Sequence, residues 1–190
     1  MGVTARVPAR NAVLSPAKFA HIVLFTKQTD RMLAWYSTVL GAEQMFRNDY
    51  ISFLTYDDEH HRIAFINRPN FSDKVPNSVG LAHFAFTYNS LQELADTWQR
   101  LKAEGIEPFR QINHGTTTSM YFRDPDGNQV ELQVDNFDTV EELNAWFGGG
   151  DFDRNPIGIY YDMADIARKL REGVPEKALR KPLSVAPIAL

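Results

Sequence analysis

The chain has 190 residues, 20 Lys and Arg against 24 Asp and Glu, and no cysteine. A formal charge of −4 offers no clustered positive surface for nucleic acid or an anionic membrane, so neither partner is expected. Without cysteine there are no disulfides, thiolate zinc sites, iron–sulfur clusters or cysteine nucleophiles, and any metal must be held by nitrogen and oxygen.

At 21.7 kDa the chain fits one domain or two small fused units. Residues 1–16 read as an arm without a continuous apolar run, so no signal peptide is expected. No stretch approaches the roughly 20 apolar residues of a membrane span, and a cytoplasmic protein is expected. Aromatic residues at 12% suit a large core and a pocket for a flat apolar ligand.

From residue 17 a unit begins that recurs. Phe19-Ala20-His21-Ile22-Val23-Leu24-Phe25 resembles Leu81-Ala82-His83-Phe84-Ala85-Phe86-Thr87 at an offset of 62 residues. Each run reads as a short strand with a histidine in the same place. In the first copy Thr29 or Asp30 can cap a helix carrying Met32, Leu33, Trp35, Tyr36, Val39 and Leu40, which Gly41 stops. Strands follow near 43–47, 50–56 and 61–67, closing a module at 17–67; residues 68–79 read as a linker.

The second copy spans 80–136. Ser90 and Glu93 form a capping box ahead of an apolar stripe at Leu91, Leu94, Ala95, Trp98 and Leu101, with Gly105 as the stop. Strands are expected near 108–112, 117–123 and 128–134, so each module reads β-α-β-β-β and the class is α+β. Residues 137–190 read as a helical arm with helices near 139–147 and 162–171, a flexible Gly148-Gly149-Gly150, and no part in the chemistry.

Five histidines exist: His21, His60, His61, His83 and His114. One histidine on an apolar strand is usually a hydrogen-bonded core residue. Two at matching places in a repeat point instead to a shared site, which pseudo-twofold packing would assemble. Glu131 is the third candidate. Gln129, Glu131 and Gln133 alternate with Val130, Leu132 and Val134, giving one polar and one apolar face. Solvent could meet that polar face. Together, however, His21, His83 and Glu131 make the two-imidazole, one-carboxylate set of non-haem Fe(II), which Mn(II) or Zn(II) also fits.

On these residues the sequence resembles the vicinal oxygen chelate superfamily over about residues 17–135. The resemblance implies a metal-holding half-barrel built from the two modules. That family's fourth metal position falls on Ala64 when Ile63-Ala64-Phe65 is placed over Val130-Glu131-Leu132. An alanine cannot ligate, which is unlike glyoxalase I and leaves room for a bidentate ligand. Glu59-His60-His61-Arg62-Ile63-Ala64-Phe65 resembles the histidine segment of type I extradiol dioxygenases, and the stretch from His114 through Tyr121 to Glu131 resembles their second-strand signature. With two modules, the chain resembles the smaller one-domain enzymes of the dihydroxybiphenyl kind.

The resemblance implies His61, rather than His60, with His114 and Tyr121 as catalytic groups, and a metal held by His21, His83 and Glu131; a solvated loop is the alternative reading for His60. Fe(II) is the expected metal, with Mn(II) as an alternative. The substrates would be an aromatic diol and molecular oxygen, and a homo-oligomer is expected. Rival expectations are an Mn(II)-dependent fosfomycin-resistance-type thiol transferase, a hydroquinone ring-cleaving dioxygenase and a non-catalytic ligand-binding module. The trio His61, His114 and Tyr121 speaks against the transferase, and the metal set against the binding module.

Overall fold

Each copy of the repeat folds as a strand, a helix and three further strands. The computed structural model describes residues 14–181; the first 13 residues of the expected N-terminal arm and the last nine of the C-terminal arm lie outside them. Two units emerge among the described residues, one formed by 14–82 with the turn 123–129, the other by 83–122 and 130–181.

The first unit contains β1 (Ile22–Thr26), α1 (Thr29–Leu40), β2 (Glu43–Arg47), β3 (Ile51–Thr55) and β4 (Ile63–Asn67). The second contains β5 (Phe84–Thr87), α2 (Leu91–Ala103), β6 (Arg110–Asn113), β7 (Thr117–Arg123) and β8 (Gln129–Asp135). It continues through α3 (Val140–Gly148), α4 (Asp151–Arg154), β9 (Ile159–Tyr160), α5 (Met163–Arg171) and α6 (Glu176–Leu179). The α+β class and the repeat are as expected. Among the described residues, no helix is long and apolar enough to cross a membrane.

α2 buries the whole stripe read from sequence and α1 most of its own, with Trp35 and Leu40 only half-buried. Met32, Leu33, Tyr36 and Val39 of α1 are buried, as are Leu91, Leu94, Ala95, Trp98 and Leu101 of α2. Ser90 caps α2 by accepting from the Glu93 N–H at 3.1 Å, and Gly41 ends α1 at φ 65°. The expected start of α1 needs correction: Gln28 is the N-cap and makes no side-chain cap bond, while Thr29 and Asp30 lie inside the helix.

The first sheet runs β1-β4-β3-β2 and the second β5-β8-β7-β6-β9. In the first, β1 lies parallel to β4 with Val23 opposite Ala64; in the second, β5 lies parallel to β8 with Ala85 opposite Glu131. These registers equate Ala64 with Glu131. They also place His21 and His83 alike, two residues ahead of the strand partner and just before the strand itself.

In the first unit the turn 123–129 is tied down by Asp124. This buried carboxylate accepts from the Asp126 and Asn128 N–H groups at 3.0 and 2.8 Å, from Asn128 Nδ2 at 2.8 Å and from Tyr36 Oη at 2.9 Å. Four donors satisfy a group that would otherwise be costly to bury.

The C-terminal arm departs from expectation. It adds β9 to the edge of β6, with Ile112 opposite Tyr160, and caps two helices with Thr139 and Asp162. Gly149 and Gly150 form the turn between α3 and α4, with Gly150 as the N-cap of α4, rather than a loose tether.

Candidate metal and acid–base site

The alternation along β8 decides what Glu131 can do. Val130, Leu132 and Val134 are fully or almost fully buried on one face, which sends Glu131 to the other. Its residue is nevertheless only 4% exposed, so the polar face is not simply solvated. His83 Nε2 lies 3.0 Å from Glu131 Oε2. An imidazole nitrogen and a carboxylate oxygen converging in this way fit a divalent cation. Within this unit, among the described residues, no third His, Asp or Glu side chain joins the pair as a cluster.

Tyr121, on the neighbouring β7, lies near enough to Glu131 for that carboxylate to raise its pKa, and packs edge-on to His83 at 5.4 Å between ring centroids. Its hydroxyl lies 2.8 Å from His114 Nε2. The far nitrogen, His114 Nδ1, lies 2.5 Å from the Ile157 carbonyl. A carbonyl only accepts, so Nδ1 carries the hydrogen, and in the neutral ring Nε2 accepts from Tyr121. Burial pushes the His114 pKa down, opposed by the Ile157 carbonyl and Glu131. Burial and the Glu131 carboxylate push the Tyr121 pKa well up, so the phenol keeps its proton.

In the first unit His61 stacks on Phe53, at 4.3 Å and 9° between planes, and lies 4.3 Å from the His21 ring. Burial lowers its pKa first, with neighbouring His21 and His60 adding to the effect. His60 is exposed, and its Nδ1 lies 2.6 Å from His61 Nδ1. An open cleft of about 680 Å³ in this unit, lined by Phe25, Phe71 and Asp126 among others, contains none of the five histidines.

Three contributions escape sequence reasoning. Arg62 pairs with Asp57 at 2.9 Å and donates to the Phe19 and Ala20 carbonyls at 2.8 and 3.0 Å, fixing the segment that presents His21. Arg110 holds its guanidinium 4.2 Å over the Tyr121 ring. Ile157 belongs to the arm expected to carry no chemistry, and its carbonyl contacts the candidate His114. A backbone acceptor 43 residues away leaves no side-chain signal to find.

The depressed His114 pKa has a stability consequence in the metal-free protein. A histidine held below its usual value of about 6.5 stabilises the fold fully above that pH and less as pH falls below it. The melting temperature should therefore fall between pH 7 and 5, and fall less steeply in His114→Gln. Equal slopes in the two proteins would remove His114 as a source of that loss.

The family model described as the Glyoxalase/Bleomycin resistance protein/Dioxygenase superfamily matches residues 18–132. Biphenyl-2,3-diol 1,2-dioxygenase 2 of Rhodococcus globerulus is 43% identical over 159 residues, covering 83% of this chain and 84% of its own. Biphenyl-2,3-diol 1,2-dioxygenase 3 of the same organism is 44% identical over 164 residues, covering 85% and 86%. A glyoxalase/dioxygenase crystal structure from Nostoc punctiforme shares the fold at a TM-score of 0.54 and 21% identity, covering 66% of this chain and 97% of that one.

Proposed function

The chain belongs to the glyoxalase/bleomycin resistance protein/dioxygenase superfamily, and from that membership we propose an extradiol dioxygenase that cleaves the ring of a catechol-type diol. The relatives named as biphenyl-2,3-diol dioxygenases support that branch and make a catechol carrying a second ring the first substrate to test. The observation that carries the reading is Tyr121, whose hydroxyl lies 2.8 Å from His114 Nε2 and whose pKa the nearby Glu131 carboxylate raises. One phenol thereby stands between the metal-ligand candidate and a half-buried acid–base group.

In this reading Fe(II) is held by His83, Glu131 and His21. The third donor is argued from the matching registers, since His21 stands to Val23 as His83 stands to Ala85. Bound there, the iron would supply open coordination positions and a path for electrons from the aromatic diol to oxygen. The chain's own residues do the rest. With Glu131 engaged by a cation, the Tyr121 proton is directed to His114 Nε2, so the phenol oxygen is free to accept from a substrate hydroxyl. A proton can pass from the diol through Tyr121 to His114, whose Nδ1–H stays on the Ile157 carbonyl. In the same reading His61, whose pKa burial lowers and whose ring stacks on Phe53, receives and returns the proton needed at the cleavage step.

The test is anaerobic loading with Fe(II), then addition of catechol, 3-methylcatechol and 2,3-dihydroxybiphenyl with oxygen, following oxygen uptake and a yellow product. His61→Ala should keep iron and still bind catechol, yet turn over about a hundred- to ten-thousandfold more slowly, the range of a positioned acid–base group. No oxygen uptake by the iron-loaded protein with any of the three diols would overturn the reading. Unchanged turnover in His61→Ala would remove that residue from the mechanism.

A further inference from the structure

The neutral histidine ring has two tautomers, and a protein selects one by what it offers to each nitrogen. Here the offer to His114 comes from a four-residue turn in the C-terminal arm. Asn155 closes it twice: its Oδ1 accepts from the Gly158 N–H at 2.9 Å, and its Nδ2 donates to the Gly158 carbonyl at 2.9 Å. The bracketed Ile157 carbonyl is thereby aimed at His114 Nδ1.

Gly158 lets the turn approach that closely. It is buried at φ 99°, and a Cβ there would lie 2.1 Å from the Asn113 carbonyl oxygen and 2.7 Å from His114 Cα. Any other residue would clash with backbone that has nowhere to move. β9 follows at once and pairs with β6, placing Ile159 opposite Asn113. The turn is thus anchored to the strand that leads into His114.

We propose that Asn155 and Gly158 are positioning residues that fix His114 as its Nδ1–H tautomer, leaving Nε2 to take the Tyr121 proton. Without the turn, the ring could present Nε2–H to Tyr121, and the phenol oxygen would become an acceptor for the wrong partner. The tautomer follows from the geometry alone. Its catalytic consequence rests on the ring-cleavage reading above, and the two are measured separately.

The experiment uses metal-free protein labelled with 15N-histidine, at a pH where His114 is neutral, with its signals assigned by their loss in His114→Gln. The parent should show a protonated Nδ1 and a bare Nε2. Asn155→Ala should show tautomer exchange, and Asn155→Asp, which keeps one of the two turn bonds, an intermediate state. After iron loading, Asn155→Ala should lower kcat about ten- to a hundredfold, the usual cost of losing an orienting partner, with KM much less affected. If Asn155→Ala does not fold, Asn155→Asp decides by the same signals. An Nε2–H tautomer in the parent, or an unaltered tautomer in the variants, overturns the proposal whether or not the enzyme cleaves catechols. An altered tautomer with unchanged kcat overturns its catalytic half.

Discussion

Glu131→Ala should empty the protein of iron and abolish ring cleavage while the fold survives, and His83→Ala should do the same. The two side chains meet at 3.0 Å, and Glu131 is buried while His83 is partly open. A carboxylate kept from water is costly without a partner, and here the His83 imidazole, or a cation held with it, supplies one. Removing a ligand should cost well beyond the roughly hundredfold typical of an outer partner. Glu131→Gln, which keeps shape and loses charge, should retain measurable but weakened iron. His21→Ala tests the third donor in the same way. Iron is counted per chain after desalting, alongside the melting temperature. Full occupancy in any alanine variant would strike that residue from the ligand set.

Ala64→Glu should keep or tighten iron binding and still collapse turnover. Ala64 holds in β4 the register place that Glu131 holds in β8, opposite Val23 in β1. It also lies directly opposite Phe53 in β3, and directly opposed residues of an antiparallel pair share a face. That face carries the Phe53–His61 stack. A glutamate there projects an anionic oxygen towards the histidines and occupies a position the diol and oxygen need. If Ala64 instead faced away, an unpaired carboxylate among Ile63 and Phe65, both fully buried, would cost several kcal/mol. Metal affinity would then fall with stability. The sign of the change in iron retention against a chelator separates the two outcomes, and weaker retention with a lower melting point defeats the vacant-position argument.

Much of the fold is written in local pattern. The apolar stripes of α1 and α2, the Ser90 cap, the Gly41 stop and the two-faced β8 each depend on residues within a turn or two of one another. Periodicity and capping chemistry therefore expose them directly. The repeat was readable because the same physics is used twice, and the registers of β1 on β4 and β5 on β8 agree with the two offsets taken from sequence. The start of α1 was misread because Thr29 and Asp30 are good caps by type, whereas the helix begins behind Gln28, whose amide is drawn to the Pro125 carbonyl and Asp126 instead.

His83, Glu131, Tyr121, His114 and His61 were identifiable as residues, by type, spacing and resemblance. How they are held was not. Arg62 reaches the carbonyls ahead of His21, Arg110 covers Tyr121, and Ile157 turns His114 to face it. Arg110 acts across one pair of strands, whereas the other two supports are long-range contacts with a backbone carbonyl as acceptor, and every residue carries such a group. Sequence alone determined which side chains could do the chemistry, because that is a property of side chains. Only the tertiary structure decided which nitrogen of His114 holds the proton, because that depends on where a distant main chain comes to rest.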